Sequence, residues 1–82
     1  MEIKIVDDEV YEYIKQHRLE TKWKKVVSIF PSNPRHPSLH TEILEPKHRG
    51  VFSFRIDHKF RALFVVKNGI CLVFKITNHY KK

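Results

Sequence analysis

The sequence has a single cysteine, two glycines, one tryptophan and one methionine in 82 residues. Each scarcity removes a class of protein. Cys71 cannot form an internal disulfide, which fits a reducing compartment. Gly50 and Gly69 are too few and too far apart for a phosphate-cradling glycine loop. No apolar run approaches the roughly 20 residues of a membrane span. Met1-Glu2-Ile3-Lys4 lacks the charged-then-apolar layout of a secretory signal. The six histidines and Cys71 show none of the close-paired spacings of structural zinc sites, so scattered surface histidines are the better reading. No internal repeat or low-complexity tract is present. The expectation is one cytoplasmic domain over residues 1–82 with no metal, no cofactor and no membrane.

What the chain does have is positive charge, unevenly placed. The net charge is +7. Residues 1–41 hold seven Lys/Arg against six Asp/Glu, whereas residues 42–82 hold nine against three. A basic half on so small a domain attracts polyanions, either nucleic acid or an acidic protein partner.

Hydropathy patterning gives the elements. Residues 2–6 alternate polar and apolar and predict a short strand. Asp7 and Asp8 offer a cap and favourable charges for a helix whose Val10 and Ile14 share a face. Leu19, Trp23, Val26, Val27 and Phe30 recur at helical spacing and predict a second, half-buried helix, stopped by Pro31 and Pro34. Residues 31–49 read as a long connection, unusual in a compact domain unless it has a task. Strand texture begins at Gly50. Asn68-Gly69 is a strong two-residue hairpin signal that pairs Lys67 with Ile70 and Arg61 with Ile76. A three-residue turn at 57–59 sets Arg55 opposite Arg61. Phe52, Phe54, Ile56, Phe60, Ala62, Phe64, Val66, Cys71 and Val73 then share the face on which the helices sit. Ser53, Arg55 and Arg61 lie on the other. The predicted fold is α+β in the order β-α-α-β-β-β, with two N-terminal helices on one face of a mostly antiparallel four-stranded sheet.

For chemistry, Cys71 falls on the apolar face and reads as packing rather than as a nucleophile. Acid–base cleavage of a phosphodiester needs a base for the ribose 2′-hydroxyl, an acid for the leaving 5′-oxygen and a cation at phosphorus. Glu42 suits the base, His79 the acid and Arg61 the cation. Tyr80 offers a ring to stack and a hydroxyl for phosphate. Each also has a plainer reading: a solvated loop carboxylate, a strand-end charge, a frayed terminus.

Three stretches carry a family likeness. Asn33-Pro34-Arg35-His36-Pro37-Ser38-Leu39-His40-Thr41-Glu42 resembles the linker before the sheet in RelE/ParE-superfamily toxins. The run from Gly50 to Phe64, with its Ser53-Phe54-Arg55-Ile56 segment and Phe60-Arg61, is similar to the strands that follow it. Asn78-His79-Tyr80 resembles the His-Tyr ending of the YoeB-type mRNA interferase branch. The likeness implies a toxin of a type II toxin–antitoxin system, a metal-independent endoribonuclease that cleaves mRNA at the ribosome. Its active site would comprise Glu42, Arg61, His79 and Tyr80, with Arg55, Lys47 and Arg49 as substrate contacts. It also implies an antitoxin partner, and a homodimer or a hetero-oligomer with that antitoxin. The sequence departs from the pattern in three places. The lysine cluster of RelE proper has no counterpart, Lys81 and Lys82 follow the tyrosine, and Ser53-Phe54-Arg55 replaces paired arginines. The alternatives are a ParE-like gyrase inhibitor and a toxin-like binding module without activity.

Overall fold

A computed structural model describes residues 1–78. The chain runs β1 (Glu2–Ile5), α1 (Asp8–Gln16), α2 (Glu20–Ile29), β2 (Glu42–Ile43), β3 (Phe52–Arg55), β4 (Arg61–Lys67) and β5 (Ile70–Thr77). Short 3₁₀ turns occupy Pro37–Leu39 and Lys47–Arg49. The five strands form one sheet in the order β1-β5-β4-β3-β2, with β1 parallel to β5 and the other pairs antiparallel.

Local chemistry accounts for the helices. The Asp7 carboxylate accepts the Glu9 N–H at 2.9 Å, and Asp8 and Glu9 place negative charge on the first turn of α1. Arg18 takes a left-handed backbone (φ +53°), so the chain reverses at once and α2 begins two residues later. Leu19, Val26 and Phe30 of the α2 segment are buried with Val10 and Ile14 of α1. They meet the inner face of the sheet through an aromatic cluster. The Phe30 ring lies 5.2 Å from Phe54 and 5.6 Å from Phe64, and Trp23 stacks on Phe54. Val27, at the margin of this stripe, stays exposed.

Two hairpins match the sequence reading. Asn68 and Gly69 both take positive φ, and Lys67 pairs with Ile70. Arg55 pairs with Arg61 across the 57–59 turn. Three expectations are corrected. The sheet has five strands rather than four, because Glu42–Ile43 pairs with β3 from within the connection over residues 31–49. Arg61 faces Thr77 rather than Ile76. The register slips between Leu63 and Phe64, where a bulge at Phe74 inserts one residue into β5 and turns Ile76 inward to the core. Val66, expected inside, is 41% exposed at the far end of β4.

Asp57 ties the helical layer to the sheet. Its Oδ1 accepts the N–H groups of Lys59 and Phe60, both at 2.8 Å, and closes the β3–β4 turn. Its Oδ2 meets Lys22 Nζ of α2 at 2.8 Å. Burial pushes this carboxyl upward. The Lys22 hydrogen bond, the two backbone donors and the Lys22 charge outweigh burial and hold it down to about 2. A carboxylate depressed in the fold contributes stability that is complete above its ordinary value near 3.8 and is lost as pH falls toward 2. Asp57→Asn keeps an acceptor for the turn but removes the charge. The variant is expected to be less stable than the parent by about 1–2 kcal/mol at pH 7. Urea unfolding at pH 7, 4 and 2.5 should show this difference shrinking toward zero at the acid end. A gap independent of pH would contradict the assignment.

Candidate functional site

The face of the sheet away from the helices carries the polar positions of β2, β3 and β4. At one end Glu42, Ser53 and Arg61 come together because Glu42 pairs with Ser53 on β3, and β3 in turn pairs with β4. Arg61 is only 7% exposed. Its Nε donates to Ser53 Oγ at 3.0 Å, and its Nη2 donates to the His40 carbonyl at 2.5 Å and to the Ser53 carbonyl at 3.4 Å. Ser53 is itself fully buried, so its hydroxyl is a fixed acceptor. The guanidinium thus reaches from β4 across β3 to the segment that leads into β2.

That segment is shaped to meet it. His36 Nδ1 caps the 3₁₀ turn by accepting the Ser38 N–H at 3.1 Å, and the buried Leu39 anchors the turn in the core. His40 then adopts a left-handed backbone (φ +45°), with its carbonyl on Arg61. Thr41 Oγ1 closes the loop on the Pro34 carbonyl at 2.7 Å. Glu42 follows as the first residue of β2, half-buried.

These elements wall a groove of about 350 Å³. It is lined by Glu42, Arg55 and Arg61, together with His40, Asp57, His58 and Lys59. Three cations and two carboxylates therefore share one concavity, and Asp57 stays ionised across the physiological range. Such a groove can seat a phosphate against its cations and offer a carboxylate to a neighbouring hydroxyl.

The sequence-predicted residues divide as follows. Glu42, Arg55 and Arg61 line the same groove. Lys47 and Arg49 lie on the exposed 3₁₀ turn between β2 and β3 and are not part of its lining. His79 and Tyr80 lie outside the described residues. Sequence reasoning missed His40, Asp57, His58 and Lys59 as groove residues. The 57–59 turn was read only as a connection, and the contribution of His40 is a backbone carbonyl with no side-chain signature. Cys71 is buried in β5, where desolvation pushes its thiol up to about 12, leaving it without nucleophilic character. Among the described residues, no three His, Cys, Asp or Glu side chains gather as a metal site, and no helix is long and apolar enough to cross a membrane.

No family model and no curated protein matches the chain. Solved structures do match it in fold. A YoeB dimer from Staphylococcus aureus aligns with a TM-score of 0.72 at 21% identity, over 98% of each chain. A YoeB/ParE toxin from Agrobacterium tumefaciens gives 0.72 at 21% identity, over 98% of this chain and all of its own. YafQ from E. coli strain BL21(DE3) gives 0.73 at 11% identity, over 95% of this chain and 92% of its own. The chain thus shares its fold with solved YoeB and YafQ toxins.

The Ser53 hydroxyl is the acceptor for the Arg61 Nε–H. Ser53→Ala leaves that buried donor without it and is expected to cost about 1–3 kcal/mol. Thermal or urea unfolding of the variant measures this. Unchanged stability would mean that Ser53 does not hold Arg61.

Proposed function

We propose that this protein is the toxin of a type II toxin–antitoxin system, a metal-independent endoribonuclease that cleaves mRNA at the ribosome. The observation that carries the reading is the meeting of Glu42, Arg55 and Arg61, from three different strands, in one polar groove on the open face of the sheet. The fold likeness to YoeB and YafQ toxins supports it. So does the register of β5. Thr77, the last residue of β5, stands opposite the groove residue Arg61.

In this mechanism the Glu42 carboxylate accepts the proton of a ribose 2′-hydroxyl. The 2′-oxygen bonds to phosphorus as the bond from phosphorus to the 5′-oxygen breaks, leaving a 2′,3′-cyclic phosphate. His79 delivers a proton to the departing 5′-oxygen. The Arg61 guanidinium, with Arg55, faces the negative charge that builds on the equatorial oxygens. Because Arg61 is already held by Ser53 and His40, little reorganisation is needed as that charge develops. Tyr80 positions the nucleotide, and Lys47 and Arg49 contact the substrate's phosphates outside the groove. The basic half of the chain suits both ribosomal RNA and an acidic antitoxin segment. A solved relative in fold is a heterotetrameric YoeB–YefM toxin–antitoxin complex, and an antitoxin partner is part of this proposal, as are a cytoplasmic location and a homodimer or hetero-oligomer.

Expression of the wild type without an antitoxin is expected to arrest growth and to produce mRNA ends inside ribosome-occupied codons, read by primer extension. Glu42→Gln and His79→Ala should each lower the cleavage rate by about 10²–10⁴ with the fold intact. Undiminished cleavage in both variants would overturn the roles. Growth arrest with intact mRNA and broken DNA would point instead to a gyrase inhibitor.

A further inference from the structure

A second groove adjoins the first. Arg55 and Asp57 line both, so the two concavities meet at the end of β3. The second runs between α2 and the 3₁₀ turn at Pro37–Leu39, with a volume of about 280 Å³. Its character is different. The floor is apolar and comes from Val26, Ile29, Leu39 and Ile56, of which Val26, Leu39 and Ile56 are core residues. The rim is cationic, formed by Lys22, Lys25 and Arg55. Two ion pairs form among the described residues, Lys4–Glu2 and Lys22–Asp57. The Lys22 charge is therefore matched by Asp57, and the positive surplus on the rim belongs to Lys25 and Arg55.

A fixed apolar floor beneath a cationic rim suits a planar base whose phosphates remain at the edge. The volume lies just below the roughly 300 Å³ at which drug-sized ligand pockets begin, enough for one ring system. A docking helix would instead require a row of anchor pockets at i, i+3 or i+4 and i+7. The lining residues shared with the groove of Glu42 and Arg61, Arg55 and Asp57, supply continuity with the proposed scissile position. We infer that this second groove holds the base of a nucleotide flanking the scissile phosphate of single-stranded RNA, with Lys25 and Arg55 on the adjoining phosphates. The inference rests on the ribonuclease reading of the first groove. It makes α2 part of the substrate track and gives Arg55 contact with two successive nucleotides.

The test uses the full-length Glu42→Gln protein, which binds without cutting, titrated with single-stranded hexaadenylate at low salt and followed by amide NMR. The amides of Val26, Ile29, Leu39 and Ile56 should shift together with those of His40 and Arg61. Adding Lys25→Glu should weaken binding about tenfold, whereas Lys67→Glu, a charge-matched change at the distant β4–β5 hairpin, should alter it less than about twofold. Shifts confined to the first groove, or equal effects of the two reversals, overturn the inference. So does a second groove that ignores RNA but responds to an acidic Leu/Glu peptide, which would make it a protein-docking surface. Failure of the two readings is distinguishable. RNA in both grooves with no cleavage by the wild type in cells removes the ribonuclease and keeps the subsite. Cleavage with a silent second groove does the reverse.

Discussion

A buried guanidinium organises the open face of this sheet. Arg61 is drawn out of water between three strands and the linker, and a cation there persists only because oxygen acceptors surround it. Those acceptors come from distant parts of the chain. Ser53 is supplied by the neighbouring strand, and the His40 carbonyl by a loop 21 residues earlier. The left-handed backbone of His40 and the burial of Leu39 aim that carbonyl. Glu42 follows two residues later, so the geometry that satisfies Arg61 also sets the carboxylate at the groove.

Much of this is legible in the sequence, because hairpin chemistry fixes register. Asn68-Gly69 and the 57–59 turn place Arg55 opposite Arg61 and put both on the face away from Phe54 and Ala62. The helical stripe ending at Phe30 is equally plain, since burial at 3.6-residue spacing leaves a strong pattern. What escaped has physical causes. Glu42–Ile43 is too short to display alternation, and only its pairing with β3 makes it a strand. The bulge in β5 was visible in principle, because Val73 and Ile76 are both core residues three apart, which breaks a period of two. The acceptor role of His40 belongs to its backbone and could not be read from residue type.

On the proposed ribonuclease reading, the two grooves divide the work of holding a nucleic acid. The first is polar and can act on a phosphodiester. The second is apolar-floored and can hold a base. Arg55 and Asp57 stand at the junction, and the Lys22–Asp57 pair ties α2 to the β3–β4 turn. On that reading a small domain obtains a track longer than its first groove without added chain, because the helix that covers the core also walls the second groove.

The central claim is that Arg61 is a fixed cation, and ¹⁵N relaxation of its Nε–Hε pair measures this directly. The account predicts an order parameter near that of rigid backbone, about 0.85, in the protein without RNA. A value below about 0.6, typical of a mobile side chain, would contradict it, because a guanidinium that wanders cannot be the preorganised centre of the groove.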